Sequence, residues 1–252
     1  FGGGGPNMGG RGRQQQRRGP FGGQEQQQQK EKVNLSEVNL AITLDETNMP
    51  DTQKLTENWN IFFFDENSKD SPEAKWVKSF AEKYGMHIKI GIVNCSKNMG
   101  LCQKLKVSRL PEYYIYYQQD KRVKVDLING LPLEFLVQQN IDLMEQHVVR
   151  VTSSNYADFV KKNFGKPIVL SFTERKTTSI LLHSVAQLLK DKVVIGEVLS
   201  SDPLCQKFKV SKFPQMLSIE DAVSFKTVNF EGAIKRETIL MWIQNKVLTK
   251  RI

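Results

Sequence analysis

Cysteine and histidine are scarce in this chain, with three of each among 252 residues. Cys95, Cys102 and Cys205 are too few for the disulfide framework of a small secreted scaffold. His87, His147 and His183 stand in no zinc-like spacing with them, so neither a metal nor a cofactor is expected. No run of eighteen apolar residues occurs, and no membrane segment is expected in this chain. The glycines of "GGGGP" precede no Gly-Lys-Ser/Thr, which excludes a phosphate loop. No serine sits in a nucleophile elbow. The chain opens on Phe1 rather than methionine, so we expect a fragment or a processed form, from which a missing signal peptide says nothing. Its last residues, "TKRI", are not a retrieval signal.

What is present begins with a biased tail. Residues 1–30 are rich in glycine and glutamine, which bury too little apolar surface to offset the entropy of ordering. A disordered linker is therefore expected over 1–32. Net charge is +9, and residues 1–30 supply +4 of it through Arg11, Arg13, Arg17, Arg18 and Lys30 against Glu25. The remainder is spread over the rest of the chain, so a uniform nucleic-acid-binding surface is not implied.

The chain then repeats itself. "LCQKLKVSRLP" starts at Leu101 and "LCQKFKVSKFP" at Leu204, 103 residues later, with eight of eleven positions identical. That period is too long for a solenoid and suits two related domains, expected over 33–146 and 147–252. The element order repeats as well. In the first unit "EVNLAITLD" alternates like a strand and "NIFFF" reads as a buried one. Ser71 and Pro72 open a helix in which Trp76, Phe80 and Tyr84 recur every fourth residue, and Gly85 closes it. A strand over 87–94, a short helix with Leu101 and Leu105, and strands over 113–117 and 122–128 follow. Gly130 then leads into a terminal helix. The second unit repeats the series through a helix carrying Leu181, Val185, Leu188 and Leu189 on one side, strands near 216–219 and 223–230, and a last helix through Trp242. Alternating strands and helices ending in two strands and a helix predict an α/β fold with mixed central sheets flanked by helices.

Each unit resembles a thioredoxin domain of the kind strung together in protein disulfide isomerases. The resemblance covers residues 36–250 and rests on "KVSRLP" and "KVSKFP", which end in the proline that precedes a central strand, and on Gly130 and Gly232 further on. It implies two tandem thioredoxin-like domains with cis peptide bonds at Pro111 and Pro214. It also implies where catalysis would sit: a Cys-x-x-Cys pair at the N-terminus of the helix after the central strand, where the helix dipole favours a thiolate. Those places read "FDENSKDSPEAKW" and "FTERKTTSILLHS", without cysteine, and Asp65, Glu66 and Asp70 disfavour an anion there. No catalytic residue carries over, and an enzyme is not expected. Cys95 and Cys102 are either two half-buried thiols or a structural disulfide, which the oxidising compartment of the family would permit. Cys205 matches Cys102, but Val198 or Leu199 takes the place of Cys95, so a buried free thiol is expected.

The tail resembles the Gly/Phe-rich region that follows the J domain of J-domain co-chaperones, with Phe-Gly-Gly at Phe1 and Phe21. Together the resemblances imply a non-catalytic, polypeptide-binding part of an endoplasmic-reticulum co-chaperone. Its partners would be unfolded or partly folded polypeptides and, through a J domain upstream of Phe1, a seventy-kilodalton heat-shock chaperone. The implied client site is the groove beside each cis-proline, formed by Arg109, Leu110 and Pro111 and by Lys212, Phe213 and Pro214, where backbone groups can pair with an extended peptide. Simple loop packing accounts for the same side chains equally well. The competing readings are a scaffold for one fixed partner and RNA binding through the basic tail.

Overall fold

A computed structural model describes residues 40–127 and 131–249. The expected linker over 1–32, Ile128 and Gly130 lie outside the described residues.

Two five-stranded mixed sheets follow one another along the chain. The first unit comprises β1 (Ile42–Thr43), β2 (Trp59–Phe64), α1 (Pro72–Tyr84), β3 (Lys89–Asn94), α2 (Met99–Lys104), β4 (Glu112–Tyr117), β5 (Lys121–Val125) and α3 (Leu133–Asp142). The second comprises β6 (Val148–Arg150), α4 (Tyr156–Lys162), β7 (Ile168–Thr173), α5 (Ile180–Leu189), β8 (Val194–Leu199), α6 (Leu204–Lys207), β9 (Gln215–Asp221), β10 (Lys226–Asn229) and α7 (Arg236–Trp242). The strand orders β1-β3-β2-β4-β5 and β6-β8-β7-β9-β10 are the same topology twice. In each, three parallel strands are followed by two antiparallel ones. Among the described residues no helix is long and apolar enough to cross a membrane.

Local sequence accounts for the elements. The hydroxyl of Ser71 accepts from the Ala74 N–H at 3.2 Å, and Pro72 occupies the first turn of α1. Trp76 stacks on Phe80 at 5.4 Å, and Phe80 meets Tyr84 at 5.2 Å, as fourth-residue spacing requires. Gly91 of β3 and Gly196 of β8 occupy the same place in the two sheets. A Cβ on Gly91 would lie 2.3 Å from a Leu44 methyl, and one on Gly196 would lie 2.7 Å from Leu170 and Val151. Only glycine lets the flanking core residues close over the third strand.

Several expectations change. Of the alternating stretch 37–45, the described part pairs only at Ile42 and Thr43; Asp45 then accepts from the Thr47 and Asn48 amides and turns the chain. A single 3-10 turn, Thr52–Lys54, stands in the first unit where the second has α4. The hairpin strand expected over 223–230 covers only Lys226–Asn229, with Val223 exposed in the turn. The last helix runs on past Trp242 as a wider π-type turn over Ile243–Leu248.

The larger change concerns α5. Instead of one apolar side, nine of its ten residues are buried, His183, Ser184 and Gln187 among them. A helix buried all round lies between packed layers. One side of α5 covers the second sheet through Val185, Ala186 and Leu189. Ile180 at its start belongs to the core of the first unit, with Leu136 and Met144. The buried Arg236 at the start of α7 pairs with the partly buried Glu57 of the first unit. Glu145 accepts from Lys190 at 3.1 Å. The two units therefore share an interface that carries both apolar and ionic contacts.

Candidate functional site

The peptide bonds Leu110–Pro111 and Phe213–Pro214 are cis. Strand register fixes what surrounds them. Phe63 pairs with Glu112, so Asp65 at the end of β2 faces the loop before β4. The Cys95 N–H donates to the Phe64 carbonyl at 2.7 Å, which brings the end of β3 to the same edge. The helix α2 then folds over that edge. In the second unit Phe172 pairs with Gln215, and the Ser200 N–H donates to the Thr173 carbonyl at 2.8 Å. The counterpart of Cys95 is thus Ser200, not Val198 or Leu199 as expected. The connection to the following helix is two residues shorter there, which a constant 103-residue offset conceals.

Cys95 and Cys102 are joined by a disulfide, and Cys205 is a buried free cysteine. Its sulfur donates to the Leu199 carbonyl at 3.3 Å. Burial, followed by the nearby Asp202 charge, pushes the thiol up and keeps it protonated. The disulfide lines a cavity of about 280 Å³ with Asp65, Met99, Val107, Ser108 and Leu110. Its wall mixes the disulfide and the hydrocarbon of Met99, Val107 and Leu110 with the polar groups of Ser96, Gln103 and Ser108; Asp65 is the charged residue of the lining. The Ser68 hydroxyl, together with backbone amides, holds that carboxyl below the usual range. Sequence reasoning did not find this cavity: Met99 and Val107 carry no signal beyond core packing.

The proposed groove residues divide. Arg109 and Lys212 are exposed. Leu110 and Phe213 are half-buried and pack against the cores of their own units. Leu110 lines the cavity as well; Arg109 is not part of its lining. The loop before β4 is braced from below by Glu112. Its buried carboxylate accepts from Lys124 at 2.7 Å, from the Tyr114 hydroxyl at 3.2 Å and from the Ser108 N–H at 3.3 Å. Arg122 lies 4.4 Å over the Tyr114 ring and donates to the Leu105 carbonyl at 2.6 Å, supporting the end of α2.

The two helix N-termini hold no thiol. At α1, Ser71 caps the helix after Asp65, Glu66 and Asp70. At α5, the Ser179 hydroxyl accepts from the Leu182 N–H at 3.3 Å. Beneath that loop the buried carboxylate of Glu197 accepts from Thr178 at 2.6 Å and from Arg150 at 2.9 Å. Arg150 also donates to the Lys176 carbonyl at 3.0 Å, tying the loop to β6. Among the described residues no cluster of three His, Cys, Asp or Glu side chains could hold a metal ion.

Two mixed sheets of this topology, each with a cis-proline before its fourth strand, are thioredoxin-like domains in tandem. Solved structures of ERdj5 share the fold. Its form I superposes with a TM-score of 0.60 and its form II with 0.58, each at 20% identity over 84% of this chain. Those matches cover 29% and 30% of the ERdj5 chains. In sequence the chain is similar to a candidate protein disulfide-isomerase of Dictyostelium discoideum, 21% identical over 207 residues and 75% of this chain. The chain spans about half of that relative, 47% of its length. No protein-family profile matches.

Proposed function

We propose that this chain is the non-catalytic, polypeptide-holding part of a J-domain co-chaperone of the endoplasmic reticulum lumen. The observation that carries the proposal is the cavity beside cis-Pro111, set next to a helix N-terminus without a thiol. The likeness in fold to ERdj5 and the two Phe-Gly-Gly triplets of the Gly/Gln-rich residues 1–30 support the architecture. The upstream J domain would deliver clients to a seventy-kilodalton heat-shock chaperone. An extended client would pair its backbone with the loop before β4 and seat a side chain against Leu110 and Val107. One small groove implies weak binding, about micromolar or poorer, raised when a client spans both units.

Fluorescence anisotropy with labelled apolar peptides carrying a carboxylate tests this reading. R109E/K212E should weaken binding while circular dichroism stays native, because both residues are exposed. Unchanged binding by the folded variant refutes the proposed grooves. The same protein should not reduce insulin disulfides; cysteine-dependent turnover would contradict the non-catalytic assignment. A second reading, a scaffold docking one fixed partner, is favoured by a different observation: α5 buried on all sides stiffens the tandem.

A further inference from the structure

The disulfide and the proposed client site are the same place. Cys95 and Cys102 form part of the cavity wall, together with Leu110 and Asp65. Cys95 is anchored to the sheet by its bond to the Phe64 carbonyl. Cys102 is on α2, whose other anchors are Leu101 in the core and the Arg122 bond to the Leu105 carbonyl at its end. That helix has six residues and no side-chain cap. A helix so short is not stable by itself and depends on tertiary contacts. Met99 in its first turn is exposed, and only Leu101 and Cys102 are buried. The disulfide is thus the covalent tie between a weak helix and the sheet edge, and both anchors face the cavity.

The geometry points to a redox-controlled binding site: the cavity at cis-Pro111 holds an extended apolar peptide segment when Cys95 and Cys102 are joined, and loses it when they are reduced. This rests on the peptide-holding reading of the cavity. The reductant is a small thiol of the glutathione class. Its thiolate attacks one sulfur of the disulfide and forms a mixed disulfide, and the other cysteine leaves as a thiolate and takes up a proton. A second reductant thiolate then displaces the cysteine from the mixed disulfide. Two thiols are oxidised to one disulfide, and Cys95 and Cys102 become two thiols. With the tie broken, α2 gains freedom that a bound peptide must remove again, so affinity falls by the lost pre-organisation. The second unit responds differently. Ser200 stands where Cys95 does, so the cis-Pro214 side has no tie to lose.

The test compares oxidised protein, protein reduced with dithiothreitol, and C95S. That variant installs the residue the second unit already tolerates at this place. The readouts are anisotropy of a fluorescein-labelled, cysteine-free, leucine-rich peptide, and amide hydrogen exchange across α2. Reduction and C95S should each weaken binding by about fivefold or more and speed exchange at Leu101 and Cys102. Q103W, which places an indole at the cavity from an exposed position of α2, should weaken peptide binding to the oxidised protein and remove its dependence on reduction. Equal affinity of oxidised and reduced protein, with binding still lost in Q103W, overturns the redox control and leaves the peptide site standing. Binding indifferent to Q103W overturns both. Unchanged exchange of α2 on reduction overturns the redox control alone.

Discussion

The pair Glu57–Arg236 joins residues 179 apart in sequence across the interface of the two units. Its side chains are only 14% and 7% exposed, so both charges have been taken out of water. Burial pushes the Glu57 carboxyl up even though Arg236, the second influence, pulls it down. The pair therefore contributes more to the geometry of docking than to net stability. Removing Arg236 alone is another matter. R236M leaves a buried carboxylate without its cation, at a cost of about 3 kcal/mol near neutral pH. With urea slopes of about 1–3 kcal/mol per molar, the midpoint should fall by about 1 M or more. The pH dependence follows from the direction of the shift. The folded protein holds a proton on Glu57 at pH values where the unfolded chain has released it. This site's contribution therefore falls as pH rises from about 4.5 through the raised folded value. Without Arg236 that window extends upward, so R236M should lose more stability at pH 8 than at pH 5. E57M/R236M, which removes both charges, should unfold within about 1 kcal/mol of wild type. The measurement is urea unfolding followed by tryptophan fluorescence at both pH values. A wild-type midpoint for R236M at pH 8, or a larger loss at pH 5, refutes this reasoning.

Ile180 is buried in the core of the first unit, so I180A should cost about 2–4 kcal/mol and separate the two units into distinct calorimetric transitions; one unshifted transition would deny the shared core. Asn60 and Asn140 exchange amide hydrogen bonds at 2.9 and 2.8 Å, with the Tyr113 hydroxyl donating to Asn60 at 3.2 Å. N140A should therefore cost about 2 kcal/mol or more by leaving buried amide groups unpaired, which thermal unfolding measures. Burial pushes the His183 imidazole down, so its contribution is intact above about pH 6.5 and is lost as pH falls toward the folded value. H183Q should flatten the acid side of the stability profile, and a profile as steep as wild type would assign that loss to other groups.

Much of the fold was legible because it is written in short range. The doubled "VS-x-x-P" marks both cis-prolines, Ser71 and Pro72 start α1, and the apolar run before Asp65 is a strand buried between neighbours. Each depends on a few neighbouring residues and on the two periodicities of strand and helix. The absence of cysteine at the starts of α1 and α5 is likewise a property of sequence alone. The candidate site was legible only in outline. Sequence placed the cis-proline loops, but the choice between thiols and a disulfide for Cys95 and Cys102 is made by the approach of α2 to the end of β3. That Ser200 answers to Cys95 follows from strand register, since a two-residue difference in a connection breaks any count along the chain. Tertiary structure also decided what α5 is. Its leucines suit an amphipathic helix, yet docking against the first unit buries its polar side, and only that docking brings Glu57 to Arg236. Contacts of this kind join residues with no local relation, so no pattern in either segment announces the other.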